Sequence, residues 1–453
     1  MPSISQSRLF ASTFDDKKLF IIIVVLAITL FVDTEIGGVA DMIPEKISSS
    51  IGITIFVGIW IIFTVTQCYV LAYVKKNNKE SRLKVRSLNL MHSIVTIAQF
   101  VLAGVIGLVI LQMFIAHEYN TVVLYAALFI SYGLWIVTLG LLAKAFLSWY
   151  RLSNKNLMIL ILGISMIAYV VNGVLGLVNY ANLLTQHKSV IRSTDVAVFP
   201  TFSLATIGDI ILFSVQITSG IAYVLSWIGT VMLLRPYIEK LGKIKFWLIM
   251  VASMLYFLIT FPLFTLGYYN PSENENAMTN MILTSGASIL AGVIFGAAFL
   301  SVARTLQRGS AIRNNMIIAA YGFVLFYIAG SAMVSQAAYP PYGLVAVSFT
   351  GLSCYLIYSG FYFSAIAVSQ DIALRQTIRK SVMEQSKLLD HIGSAQMERE
   401  LQGLVLTLAE KASTMMEEKT GVEPPMTEGE MKDYMEFVIR EVKEAGRVEN
   451  GGG

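Results

Sequence analysis

Long apolar runs, nine of them and each cut off from the next by a polar stretch, leave this chain of 453 residues few ways to fold. They cover about 51–74, 90–116, 121–146, 157–179, 211–234, 245–268, 281–303, 315–337 and 343–369. An apolar run of about 18 residues or more matches the hydrocarbon thickness of a bilayer when it is helical. Backbone inside lipid must satisfy its own hydrogen bonds, which restricts spanning structures to helices and closed barrels. A barrel would show alternating segments of about ten residues instead. Composition agrees with helices: 56% of residues are hydrophobic, 14% are charged and the mean hydropathy is +0.68. The expected fold class is therefore all-α, a polytopic helical membrane bundle.

A tenth, weaker run comes first, from Leu19 to Val32. At 1.5 Å per residue it covers about 21 Å of a ~30 Å core. Lys17 and Lys18 can snorkel from one end, and Asp33 is expected at the far interface. The rival reading is a secretory signal with cleavage after Gly38-Val39-Ala40. Two carboxylates, Asp33 and Glu35, stand between the run and that small-residue site, which favours a span.

Basic residues orient such a bundle, because loops on the cytoplasmic side carry the Lys/Arg excess. The N-terminal stretch and the loops 75–88, 144–156, 235–245 and 304–313 hold 19 Lys/Arg. The opposite set of loops holds Lys46, Lys188 and Arg192. Ten spans then put both termini in the cytoplasm of a cell whose plasma membrane holds the chain. The domains read as 1–18, a cytoplasmic N-terminus; 19–369, the bundle; and 370–450, a cytoplasmic helical tail. The longest outer segment, 180–210, carries His187, Lys188, Arg192, Asp195, Phe199 and Phe202. Such a loop is either functional or an interfacial segment anchored by its aromatics.

A faint repeat joins 51–179 to 211–337. Ala145-Phe-Leu-Ser148 closes one span and Ala298-Phe-Leu-Ser301 another, each followed by a basic loop and an Asn, Asn156 or Asn315, that opens the next. Common membrane vocabulary explains the match equally well.

Ionisable residues at bilayer depth mark ion paths or substrate sites by default. Three weak ligand-binding candidates emerge. Lys144 lies near the inner end of its span, where snorkelling is the plainer explanation. Asp209 starts another span on the acidic outer side and reads equally as a hydrated interface carboxylate. Asn172, followed by Gly173, is a mid-span pair that marks either an unwound helix of a transporter or a packing contact. His92 is expected among headgroups. Gln99, Gln216 and the Ser/Tyr set of the last span either line a cavity or bond between helices. Ser288, Gly292 and Gly296 form a small-residue stripe, and Pro262 should kink its helix. Cys68 and Cys354 fall in apolar spans, so neither a disulfide framework nor a zinc site is expected. No metal or cofactor is expected.

The tail begins with no breaker after Gln370-Asp371. Its apolar positions Leu374, Ile378, Leu389, Ile392, Leu401, Leu404 and Leu408 form an amphipathic stripe and the expected docking face. The five-residue step from Ile392 to Met397, with Gln385 and Gln396, breaks a clean coiled-coil heptad. Gly393 and Gly403 each cost about 1 kcal/mol against Ala in a helix. Thr427-Glu-Gly-Glu430 is a capping box that opens a second helix. Eleven Lys/Arg against sixteen Asp/Glu make the tail a poor partner for nucleic acid. Membrane lipid, self-association and a cytoplasmic protein are the expected partners.

No phosphate-binding glycine loop, zinc-binding His-Glu-x-x-His or nucleophile elbow occurs, so no enzymatic activity is expected. Asp390-His391-Ile-Gly lacks the acid that follows the phospho-accepting histidine of sensor kinases.

The phrases Tyr339-Pro-Pro-Tyr-Gly, Val-Ser-Phe-Thr-Gly-Leu-Ser-Cys-Tyr-Leu356 and Ser369-Gln-Asp-Ile-Ala-Leu-Arg-Gln-Thr-Ile-Arg-Lys380 resemble a family of membrane proteins of ammonia-oxidising archaea. So does Lys387-Leu-Leu-Asp-His-Ile-Gly-Ser-Ala-Gln-Met-Glu398. The resemblance covers about 100 residues. It implies a multi-spanning protein of an archaeal plasma membrane with a short helical cytoplasmic tail, and it brings no site residues. From the residues themselves, two functions stay open. One is a sensor or scaffold that couples the bundle to the tail. The other is a transporter or channel for a small solute or ion.

Overall fold

A computed structural model describes residues 4–39, 50–77, 86–152, 156–186, 189–193, 207–235, 238–265, 277–306, 310–332, 339–370 and 384–420. In chain order these form α1 (Ile4–Val39), α2 (Ser50–Asn77), α3 (Arg86–Ala116), β1 (Glu118–Asn120), α4 (Thr121–Leu152) and α5 (Leu157–Gln186). There follow β2 (Val190–Arg192), α6 (Ile207–Leu234), α7 (Ile238–Leu241), α8 (Lys243–Thr265), α9 (Ala277–Thr305), α10 (Ala311–Gly330), α11 (Leu344–Gln370) and α12 (Glu384–Thr420). Among the described residues, nine helices are long and apolar enough to cross a membrane: α1 to α6 and α9 to α11. The expected span 245–268 falls on α8, whose side chains are described only as far as Met254. The capping box at Thr427 and the helix expected after it lie outside the described residues, as do 187–188 and 194–206 of the segment 180–210.

The protein is a polytopic all-α bundle arranged around its last span. Every residue from Leu344 to Ser369 is buried except Tyr362 and Ala367, which are half-buried. α1, α2, α3, α4 and α10 surround α11, and α12 packs across its C-terminal end. Beyond this inner ring, α5 lies on α4, α9 on α10, α6 joins α5 to α9, and α8 flanks α6 and α9.

Close approach explains how one helix touches so many neighbours. A Cβ on Gly360 would lie 2.6 Å from Ala319 Cβ, and one on Gly322 would lie 2.8 Å from the Ile357 nitrogen. α10 and α11 therefore meet almost backbone to backbone, as small residues allow in membranes. α4 grips the same helix differently. Ser131 donates to the Val347 carbonyl (2.6 Å) and accepts from the Gly351 N–H (3.3 Å), so its hydroxyl sits within the α11 hydrogen-bond ladder.

The outer surface is apolar, with Ile21, Val65, Ile97, Ile115 and Leu248 all exposed. This is the face that meets lipid. The molecule is an integral membrane protein.

Several expectations change. α1 does not end at Asp33 but continues to Val39, and Asp33 is fully buried rather than at the interface. His92 is also buried, with Nδ1 2.8 Å from Tyr355 Oη on α11, because α3 turns that face inward. β1 and β2 pair antiparallel, Tyr119 opposite Ile191, and Arg192 bridges to Glu118 at 3.2 Å. Asn156 does open α5, accepting from the Met158 N–H (2.9 Å). Asn315, its partner in the supposed repeat, does not open α10. Ser310 caps that helix, while Asn315 lies one turn further in and bonds to Asn77 at 2.8 Å.

Candidate functional site

Three places concentrate polar groups inside the bundle, and the first is a cavity. It has a volume of about 50 Å³, is partly open and is bordered by α4, α5, α6, α9 and α10. Trp135, Tyr169, Asn172, Tyr223, Phe326 and Tyr327 form most of its wall. A hydrogen-bond chain runs along one side. Tyr169 Oη lies 2.5 Å from Tyr327 Oη and accepts from Ser226 Oγ (3.2 Å), and Ser226 in turn pairs with Ser165 at 2.6 Å. Ser288 donates to the Tyr327 carbonyl (3.1 Å), and Tyr223 donates to the Ser253 carbonyl. Edge-on ring contacts at 5.3 Å (Trp135 with Phe326) and 5.1 Å (Tyr169 with Phe326) fix the aromatic walls.

Asn172, one of the sequence candidates, lies in this wall. Its Oδ1 accepts from Thr218 Oγ1 of α6 (3.2 Å). The helix is not unwound there, because α5 runs unbroken from Leu157 to Gln186. Gly173 serves packing: a Cβ on it would lie 3.2 Å from Ile136 Cγ1, beside the Trp135 ring. The stripe Ser288, Gly292 and Gly296 is likewise architecture that seats α9 on α10, with Val324 Cγ2 2.7 Å from a Cβ on Gly296. Lys144 is exposed on α4 and is not among the lining residues. Asp209 falls in the first turn of α6, and its side chain lies outside the described set.

The second place is the N-terminus of α11. The last residue before the helix is Gly343, at φ +85°, whose carbonyl accepts the first helical bond from Val347. A glycine cap has no side chain with which to satisfy the exposed N–H groups. Asp33 of α1 does so from outside, its Oδ2 accepting from the Ala346 N–H at 2.8 Å. Tyr342 donates to the Gly52 carbonyl at 2.5 Å and meets Phe56 edge-on at 5.5 Å. Burial, and then the neighbouring Asp33 carboxyl, hold the Tyr342 phenol above its ordinary range. It is thus a neutral donor. Tyr339 donates to the Met113 carbonyl (3.1 Å) and stacks on Tyr119.

The third place is the junction with the tail. Leu389 and Ile392, expected on an open docking face, are each 1% exposed and packed against the protein's own bundle. Trp149 Nε1 donates to Gln396 Oε1 at 3.0 Å, and Gln396 Nε2 donates to Glu400 at 2.9 Å. A Cβ on Gly393 would fall within 2.6 Å of Val368 Cβ. Leu401 and Leu404 remain exposed, at 52% and 57%. The side chain of Leu408 and all of Leu374 and Ile378 lie outside the described residues. A single straight helix would hold residues 368 and 393 about 37 Å apart. Their contact means that α11 and α12 are two helices and not one.

Sequence reasoning missed Asp33, Trp135 and the pair Trp149–Gln396. A signal existed for the first: Leu19, Ile23, Leu26, Leu30, Asp33 and Gly37 recur at alternating four- and three-residue steps, a single helix stripe. The other two depend on contacts between distant segments. Among the described residues no group of three His, Cys, Asp or Glu side chains gathers to hold a metal. No family model, curated protein or solved structure matches the chain.

Proposed function

We propose that the protein is a membrane sensor or scaffold in which α11 relays the state of the bundle to α12 on the cytoplasmic side. The supporting observation is that α11 is held at both ends by groups from other helices. Asp33 of α1 and the Gly52 carbonyl of α2, which accepts from Tyr342 just before the helix, anchor the first end. Val368, against Gly393, and the Trp149–Gln396 bond tie the other end region to α12. A helix packed on all sides cannot move alone, so a shift in its neighbours reaches the tail. Beyond the docked half, Leu401 and Leu404 offer an apolar surface to a second copy or a cytoplasmic protein. The loop charges favour a cytoplasmic tail, and the resemblance of residues 339–398 favours an archaeal plasma membrane.

Spin labels at Lys144→Cys and Lys411→Cys, in a background without Cys68, test the relay in nanodiscs of graded lipid thickness. The distance distribution should shift with the bilayer, and Trp149→Phe should uncouple it. One unchanging distribution across all bilayers would remove the reading.

A transporter or channel is the second reading, favoured by the cavity between α4, α5, α6, α9 and α10. It requires flux in proteoliposomes that survives removal of 384–420.

A further inference from the structure

The second half of α12 holds the observation that goes furthest. Its first half is pinned to the bundle by Trp149 and Val368. From Leu401 onward an apolar face turns outward: Leu401 is 52% exposed and Leu404 57%. The sequence carries the same spacing on through Leu408 and Met415 before the helix ends at Thr420. A stripe of that length is costly to leave in water.

The chain that follows is built to cover it. The break at 421–426 contains Gly421, Pro424 and Pro425, and it has the length of a connection between antiparallel helices. The capping box at Thr427 opens the next helical pattern, which keeps its period as far as Ala445 before Gly446 stops it. At 1.5 Å per residue, helices over 401–420 and 427–445 would each be about 29 Å long. The second stretch therefore reaches back to Leu401, where the exposed face begins. The register agrees as well. Folded back about the middle of the break, the chain sets Leu404 opposite Val442, Leu408 opposite Val438, Ala412 opposite Tyr434 and Met415 opposite Met431. The steps of three and four residues thus run in mirror order along the two stretches, as an antiparallel apolar seam requires.

Other occupants are disfavoured. Five acidic and three basic residues between 398 and 420 oppose an anionic lipid surface. A second copy has to compete with a segment on a short tether, whose effective concentration is on the order of millimolar.

We infer that residues 427–446 dock antiparallel on the exposed half of α12 and close the tail into a helical hairpin. A partner then reaches Leu401 and Leu404 only by displacing the chain's own segment. That regulatory step rests on the relay proposed above, whereas the hairpin stands without it.

Disulfide trapping tests the register in the full chain, in nanodiscs and without Cys68. Leu404→Cys with Val442→Cys should cross-link within one chain at least tenfold faster than Leu404→Cys with Met431→Cys, as read by peptide mass. Hydrogen exchange gives a second reading that needs no cysteine. Val438→Asp should speed exchange at 401–416 at least tenfold and leave 388–396 unchanged. Equal rates for the two cysteine pairs, a cross-link only between chains, or unchanged exchange in Val438→Asp would each overturn the inference. An in-register cross-link without any bilayer-driven shift of the spin labels would remove the relay and keep the hairpin. A shift without the cross-link would do the reverse.

Discussion

Two glycines of α12 separate packing from helix propensity. Gly393 sits against Val368 with no room for a methyl, whereas a Cβ on Gly403 would meet nothing within 4 Å. Gly393→Ala should therefore lift the first half of α12 from the bundle, read as faster hydrogen exchange at 388–396. Gly403→Ala should stabilise the exposed half by about 1 kcal/mol, read as slower exchange there. The sequence shows both residues only as helix-weakening glycines, since nothing local records that residue 368 lies beside one of them. Asp33 was partly legible. Its place on the α1 stripe is plain from spacing, but its role depends on Gly343, more than 300 residues away. Asp33→Ala should cost about 1–2 kcal/mol, as loss of an N-cap does, while Asp33→Asn keeps an acceptor and should cost less. Thermal unfolding in one detergent would rank the two.

At the level of the helix, hydropathy and burial run in opposite directions between α3 and α11. α3 has a mean hydropathy of 2.6 and 39% of its best window buried, whereas α11 has 1.5 and 100%. Lipid-facing helices need apolar surface all round the exposed arc. A helix enclosed by others can carry Ser, Thr, Tyr and Gly that pack closely and bond to neighbours. The Ser/Tyr set of 344–370 was thus visible in the sequence, and it accompanies enclosure by protein. Gln396, which broke the heptad of the tail, does so for a related reason: it faces Trp149, as Gly393 faces Val368. Trp149→Phe should leave the Gln396 amide buried without that donor, at a cost of about 1–3 kcal/mol. The expected outcome is earlier protease cleavage within α12 while the bundle stays intact. Helix positions were readable because a bilayer-length apolar run has one stable form. Neighbour relations were not, since lipid and protein surroundings accept overlapping side chains.

For the molecule as a whole, charge and hydropathy were enough to indicate a multi-spanning bundle, yet they place no helix at its centre. That position belongs to α11, which follows all its neighbours except α12 in chain order. Spans enter a membrane as they are made, N-terminal ones first. α1, α2, α3, α4 and α10 are therefore made before the helix they pack around. Asp33 then has no helix end to cap, and Ser131 no ladder to enter. The bundle must stay open until its axis arrives. A chain stopped at residue 338 should accordingly be protease-sensitive throughout, and a separately expressed 339–420 segment should restore resistance by filling the gap. The last span behaves as a keystone: the arch around it is built early and stands only when it is set.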